Sequence, residues 1–445
     1  MLLLVLSILW CATVAIMLIR AIRQYGYYQV IGPDAEVSSD APCVAVIVPA
    51  RNEARNIGRC LEGLLAQQYP RERLSIVVVD DNSTDQTAGI IADIAARDAR
   101  VRLIDAGALP AGWLGKPRAC AVGAQNAGDA EYLCFCDADT VAQPLLLNTA
   151  VRAAQERGAA LLSLEPFAEL VLPCERLVVP GGFFLLAFTQ DVRRASDPAD
   201  PQAHANGQFM LIQRSAYEAV GTFAAVRDQI AEDSAIARLI KKSGGKVCVL
   251  GTKDLIAARM YRSFGAMFQG LSRQAGQLLG SPSRTLVFAM FALACAVLTP
   301  MLPILSGFQV GASASNGWHG LVLMPVPPSQ QHGQEYRPMP PEQHEPAIGA
   351  ITDNRAVAIA SLIFACAGSL ALLGTHIGVA RYFKIPWWYG ILFPIGYTIG
   401  AGLLLHSALA RWRGRVPWKG REYAWTGPLT EQSLSNRSLV ARNHP

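Results

Sequence analysis

Four long stretches of the chain are apolar and almost free of charge, and they bracket a single hydrophilic block. They run from Leu2 to Ile19, Thr285 to Phe308, Ala356 to Ala380 and Trp387 to Ala410. About 18 uncharged apolar residues suffice to cross a bilayer. Charged residues make up only 16% of the 445-residue chain, against roughly 25% in soluble domains. This excludes a disordered chain and a purely water-soluble one. The net charge of +5 is too mild for a nucleic-acid groove but suits an anionic membrane surface. The expected organisation is an N-terminal anchor at 1–23, a hydrophilic block at 24–280, a membrane region at 281–410 and a basic tail at 411–445.

Arg20 and Arg23 follow the first apolar run rather than precede it. That order predicts an uncleaved anchor whose C-terminal side is cytoplasmic. Four crossings would then put the tail outside, although it carries Arg411, Arg413, Arg415, Lys419 and Arg421. Pro300 and Pro303 interrupt the second run, and Pro394 with Gly390, Gly396 and Gly400 loosens the fourth. One of these is therefore a candidate re-entrant segment, and the tail is expected in the cytoplasm. From Gly311 to Arg355, seven prolines among Gln and His predict a flexible extra-cytoplasmic loop.

The hydrophilic block alternates strand-like and helix-like runs. Cys43–Val48, Leu74–Val79, Val101–Ile104, Tyr132–Cys136 and Ala159–Leu164 read as strands. Glu53–Ala66, a run from Ser83-Thr84-Asp85 to Ala96, and Pro117–Ala127 read as helices between them. Such alternation predicts an α/β domain with a mostly parallel sheet, in which ligands sit at the carboxyl ends of the strands. Acidic residues fall there: Asp80-Asp81 after the second strand, and Asp137-Ala138-Asp139 after the fourth.

No GxGxxG, no Walker loop and no glycine-rich nucleotidyltransferase opening follows any strand. Phosphates must be met otherwise, and a hard divalent ion on carboxylates is the alternative. Mg²⁺ and Mn²⁺ bind through one or two carboxylates plus substrate phosphates, a task suited to Asp137 and Asp139.

The run VAVIVPARNEARNIGRCLEGLLAQ, then VVVDDNSTDQT, CFCDADT and AEDSAIA, resembles the inverting family 2 glycosyltransferases. Their fold is the mixed, mostly parallel nucleotide-diphospho-sugar transferase (GT-A-like) sheet. The segments LPAGWLGKPRACAVGAQNA and VPWKGREY are similar to the membrane-bound hopene-associated subgroup and its carotenoid- and ceramide-glycosylating relatives. The resemblance implies a multi-pass inner-membrane enzyme with its catalytic block in the cytoplasm. The implied donor is a nucleotide sugar, first of all a UDP-sugar. The acceptor would be a membrane lipid, hopanoid or another polyprenoid.

The resemblance also assigns roles. Asp81 or Asp80 would meet the nucleobase, and Pro49 and Glu53 would line the nucleotide loop. Asp137 would hold the ribose or assist the Mg²⁺ or Mn²⁺ ion, with Asp139 as its ligand toward the diphosphate. Lys116 would offset charge on the departing diphosphate. Asp233 would be the general base for an inverting displacement. Glu232 receives no role. His204, in the acceptor-side segment HANGQFM, reads as a loop histidine. Arg259–Gln277 reads as an amphipathic helix on the membrane surface.

The Gln-x-x-Arg-Trp run of processive polysaccharide synthases is absent, which favours transfer of a single sugar. The ten cysteines lack zinc spacing and read as buried apolar residues in a reducing compartment. The alternative to an enzyme is a transferase-like protein without turnover that binds lipid or assists assembly.

Overall fold

The computed structural model describes residues 1–34, 40–186, 191, 194–195, 197, 199–200, 202–322, 346–418 and 421–424. They form two compact units. One comprises Met1–Arg20 and the described part of Met290–Ala401; the other comprises Ala21–Ala289 and the described residues from Gly402 on.

The second unit is built on an eight-stranded sheet. Its strands are β1 (Val30–Ile31), β2 (Val44–Ala50), β3 (Leu74–Asp80), β4 (Val101–Asp105), β5 (Tyr132–Cys136), β7 (Leu161–Glu165), β9 (Phe209–Gln213) and β10 (Val247–Thr252), in the order β1-β10-β7-β9-β5-β2-β3-β4. Every pairing is parallel except those of β9, which runs antiparallel to both β5 and β7. A second sheet holds β6 (Thr140–Ala142), β8 (Phe167–Ala168) and β11 (Ile256–Ala258), with β11 in the centre. A short hairpin pairs β12 (Arg415–Trp418) with β13 (Arg421–Ala424).

The strands are continuous apolar runs because both faces are covered. Val44, Val46 and Val48 of β2 pack into one core with Cys60, Leu61 and Leu64 of the helix Ile57–Leu65. Ala45 and Ile47 face the opposite core, with Cys120 and Ala124 of the helix Gly115–Gln125. That helix approaches the sheet through Gly123: a Cβ there would meet the Ile47 Cγ2 methyl and lie 3.2 Å from Val79 Cγ2.

The antiparallel β9 positions the site. Parallel strands bring only their carboxyl ends to the ligand edge. Because β9 runs the other way, the segment preceding it arrives at that same edge. Cys136 pairs with Phe209, and the Asp137 N–H donates to the Gln208 carbonyl at 3.2 Å.

Among the described residues, four helices are long and apolar enough to cross a membrane by length and composition: Leu2–Tyr27, Pro282–Ala314, Asn354–Tyr382 and Phe393–Trp412. Pro300 and Pro303 do not interrupt the second, which lies within a continuous helix Pro282–Val322. Thr299 Oγ1 donates to the Cys295 carbonyl at 2.6 Å there, supplying one hydrogen bond beside the proline pair. The flanks of the predicted loop at 311–355 are likewise helical, to Val322 and again from Pro346. Its centre, 323–345, lies outside the described residues. Trp387–Gly390, predicted as the start of the fourth span, forms a 3₁₀ turn before the helix Phe393–Trp412.

Gly123→Val should destabilise the second unit. Overpacking costs about 1–3 kcal/mol and outweighs the helix-propensity gain of less than about 1 kcal/mol. Thermal unfolding in detergent, followed by tryptophan fluorescence, should show a lower apparent Tm than for the wild type.

Candidate active site

The first loop, 50–56, and the second, 81–87, are stitched together by side-chain-to-main-chain bonds. Asn52 and Asn82 both adopt left-handed φ, 54° and 55°, a conformation that asparagine tolerates better than most residues. The Asn52 N–H donates to Ser83 Oγ at 3.0 Å, and Asn52 Oδ1 accepts the Thr84 N–H at 2.8 Å. The Glu53 N–H donates to Thr87 Oγ1 at 2.8 Å, and the Ala54 N–H to Asp85 Oδ2 at 3.2 Å. Burial works against the Asp85 carboxylate, but the bonds from Thr87 and Ala54 prevail and hold it below the usual carboxylate range. The Glu53 carboxylate accepts from Asn56 Nδ2 at 2.7 Å and so faces its own loop.

The acidic pair at the end of β3 divides its labour. Asp81 is buried and lies 4.0 Å from Arg51, whose guanidinium also donates to the Asp81 carbonyl. Asp80 Oδ2 accepts the Ser83 N–H at 3.2 Å, while its buried Oδ1 has no hydrogen-bond partner. Pro49, at the end of β2, is partly exposed beside Val79 of β3.

The densest charge cluster centres on Lys116. This residue lies in the first turn of the helix Gly115–Gln125, not in the loop before it. Its ammonium is 2.8 and 3.0 Å from the two oxygens of Asp137 and 2.9 Å from Glu232 Oε1. Burial alone would depress the Lys116 pKa, but Asp137 and Glu232 outweigh it and hold the ammonium well above the usual lysine value. Burial pushes the Glu232 carboxyl up, with the neighbouring Asp233 adding to the rise and Lys116 opposing it. Glu232, to which sequence reasoning gave no role, is thus the second anchor of Lys116.

Asp233 stands beside this cluster in the first turn of the helix Glu232–Lys242. Its Oδ2 accepts the Gly207 N–H at 2.8 Å and its Oδ1 the Ser234 N–H at 2.6 Å. Gly207 is closely approached: a Cβ would lie 3.0 Å from both Asp233 Oδ2 and Lys116 Nζ and would push on those two side-chain ends. Sequence reasoning missed this residue, although an Asn-Gly pair just before a strand is a visible turn signal. Arg273 was missed as well. It reaches the same region from the helix Phe264–Leu279, where it feels the charges of Glu232, Asp137 and Asp233.

Asp139 lies in the turn between β5 and β6. Its carbonyl accepts the Arg259 N–H at 3.0 Å, which ties the loop to β11. Among the described residues no group of three or more His, Cys, Asp and Glu side chains is gathered as a metal cage. The donors present still suit an Mg²⁺ or Mn²⁺ ion that takes one or two carboxylates and completes its shell with phosphate and water. Asp139 is partly exposed at the ligand edge, and Asp137 sits two residues away.

Residues 45–172 match the family model described as Glycosyl transferase family 2. Over those residues the chain is similar to a family 2 glycosyltransferase domain. A 4,4'-diaponeurosporenoate glycosyltransferase from Staphylococcus aureus (strain USA300) is 28% identical over 240 residues, covering 52% of this chain and 60% of that protein. The counterpart from Staphylococcus haemolyticus (strain JCSC1435) is 24% identical over 233 residues, with the same coverage. The chain thus matches 60% of the length of these curated relatives. Among solved structures, the mannosyltransferase PcManGT from Pyrobaculum calidifontis, in complex with GDP-Man and Mn2+, aligns with a TM-score of 0.50 at 18% identity. That alignment covers 92% of this chain and 99% of that one, and it shows the GT-A-like fold.

Gly207→Ala should lower turnover by about 10²-fold, because a small misplacement of a reacting group costs that much. The apparent Tm should barely move, since Gly207 lies at the site and outside the apolar core. Parallel measurements of turnover and thermal unfolding check both statements.

Proposed function

We propose that this protein is an inverting glycosyltransferase. It moves one sugar from a nucleotide-diphospho-sugar to a membrane lipid acceptor of polyprenoid character, carotenoid-like or hopanoid. The observation that carries this reading is the placement of Asp233. Its carboxylate is aimed by two backbone N–H groups at the ligand edge, beside a lysine held by two further carboxylates.

The chemistry follows from those groups. The acceptor oxygen attacks the anomeric carbon as Asp233 takes its proton, and the carbon–oxygen bond to the diphosphate breaks on the opposite face. The Lys116 ammonium offsets part of the negative charge on the departing diphosphate. A divalent ion, held by Asp139 with Asp137 nearby, supplies further charge neutralisation when bound. The stitched loops 50–56 and 81–87 form the nucleotide end, with Glu53, Pro49 and the Asp80-Asp81 pair toward the base. A nucleoside diphosphate needs no protonation to leave, so one carboxylate base suffices. Glycosidases, by contrast, need two carboxyl groups.

The apolar helices support a membrane setting, and the lipid acceptor named for the staphylococcal relatives supports an apolar acceptor here. In this reading the protein is an inner-membrane enzyme with its catalytic unit on the cytoplasmic side.

Detergent-purified protein, titrated with UDP-glucose, UDP-N-acetylglucosamine and GDP-mannose with and without Mn²⁺, should bind one donor in a metal-dependent way. Asp139→Ala should abolish that dependence. Asp233→Asn should retain donor binding while turnover falls by about 10²–10⁴-fold, the usual worth of a general base. Failure of every donor to bind would overturn the reading, and so would undiminished turnover in Asp233→Asn.

A further inference from the structure

The asparagine that opens the helix Ile57–Leu65 does not cap it. Asparagine is favoured at such a position because its side-chain oxygen accepts a hydrogen bond from the first turn. Asn56 stands there, yet its side chain makes no such bond. A residue 206 positions away takes its Oδ1 instead: Arg262 Nε donates to it at 3.0 Å, and Arg262 Nη2 donates to the same oxygen. Arg262 Nη2 also donates to the Arg55 carbonyl at 3.0 Å. A guanidinium has donors only, so it fixes which way the Asn56 amide faces. The amide nitrogen is thereby turned to the nucleotide loop, where Asn56 Nδ2 donates to Glu53 Oε2 at 2.7 Å.

Arg262 reaches this loop from a stretch pinned on both sides. Its neighbour Tyr261 is buried and packs its ring on Gly270, where a Cβ would lie 2.5 Å from Tyr261 Cε1. Ser263 caps the helix Phe264–Leu279, its Oγ accepting the Ala266 N–H at 3.1 Å. Three residues before Arg262, the Arg259 N–H donates to the Asp139 carbonyl at 3.0 Å. Residues 259–263 thus run from the Asp139 turn to the start of that helix, and on the way Arg262 grips the loop at Arg55 and Asn56.

We propose that Arg262 is a positioning residue for the donor: through Asn56 it holds the loop 50–56, and with it Glu53, at a fixed span from Asp139. The inference rests on the reading of that loop as the nucleotide end of the site. In that reading a nucleotide sugar touches both ends at once, its nucleoside at the loop and its diphosphate near Asp139. A ligand that bridges two elements binds more tightly when their separation is set beforehand, because ordering them on binding costs affinity.

The charges around Arg262 agree. Burial lowers its pKa, Arg259, Arg59 and Arg55 lower it further, and Glu53 opposes them. An arginine remains charged at neutral pH all the same, so the bonds to Asn56 are charge-assisted. A lysine would offer one ammonium on a flexible stem in place of the planar fork that meets Asn56 and the Arg55 carbonyl together.

The test is donor titration of the full-length protein in detergent with UDP-glucose, UDP-N-acetylglucosamine and GDP-mannose in the presence of Mn²⁺, beside thermal unfolding without donor. Arg262→Gln and Asn56→Ala should each raise the Kd of the donor that the wild type binds by about tenfold, the scale of a hydrogen bond to a charged group. The double variant should bind no more weakly than either single one, since both remove the same link. Arg262→Lys should fall between the wild type and Arg262→Gln. A lower apparent Tm with an unchanged Kd in both single variants would make the link merely structural and overturn the proposal. Losses that multiply in the double variant would overturn it too. Asn56→Ala carries the test alone should Arg262→Gln fail to fold. A wild type that binds no donor would instead sink the assignment of the loop as the nucleotide end, a distinct failure.

Discussion

One ammonium holds the carboxyl edge of the sheet together. Asp137 ends β5, and Glu232 and Asp233 open a helix nearly a hundred residues later in the chain. Carboxylates gathered this closely repel one another unless a cation stands between them. Lys116 supplies it from a third element and contacts two of them directly. Its side chain is 21% exposed and that of Glu232 only 6%. Removing Lys116 would thus leave a buried carboxylate uncompensated, a costly state. The lysine is thus a structural keystone of the edge.

The direction of β9 matters as much as this charge. A purely parallel sheet would present only strand-to-helix loops at the ligand edge. The antiparallel insertion between β5 and β7 delivers the start of a strand there instead. It brings the Gly207 N–H to Asp233 and places His204 beside Glu165. The Asp233 carboxylate is therefore aimed by a segment from the opposite chain direction, in addition to the turn of its own helix.

Most of the parallel half of the sheet was legible in the sequence. The strands read at Cys43–Val48, Leu74–Val79 and Tyr132–Cys136 fall within a residue or two of β2, β3 and β5, because apolar runs ending in acidic residues mark buried strands at a ligand edge. Asp137 was legible as a candidate for the same reason, and Lys116 and Asp233 through the resemblance to the family 2 glycosyltransferases. Their arrangement was not. Nothing in the one-dimensional pattern says that Lys116 spans Asp137 and Glu232, that Asp233 and Lys116 crowd Gly207, or that His204 lies beside Glu165. Those facts depend on strand order and direction, which local periodicity does not encode. The proline pair misled for a related reason. Pro300 and Pro303 read as a break because proline removes helix donors, yet an apolar helix can re-satisfy the freed carbonyls locally.

The helix Phe264–Leu279 read as an amphipathic surface segment, and its two faces explain why it is more than that. One face docks on the end of the last long helix. Ser272 Oγ donates to the Leu403 carbonyl at 3.3 Å, Ser407 Oγ to the Ser272 carbonyl at 2.5 Å, and the Phe268 ring meets His406. Gly276 makes the closest approach, leaving its side-chain space to the Arg411 guanidinium. The other face sends Arg273 toward Glu232, Asp137 and Asp233. Met267, on the same helix, is fully buried. A helix committed on two sides can tilt little without disturbing the charges at the ligand edge. The apolar segment Gly402–Trp412 and the carboxylates at the ligand edge are thus mechanically joined within one unit, a useful property for the proposed transfer from a charged nucleotide to an apolar lipid.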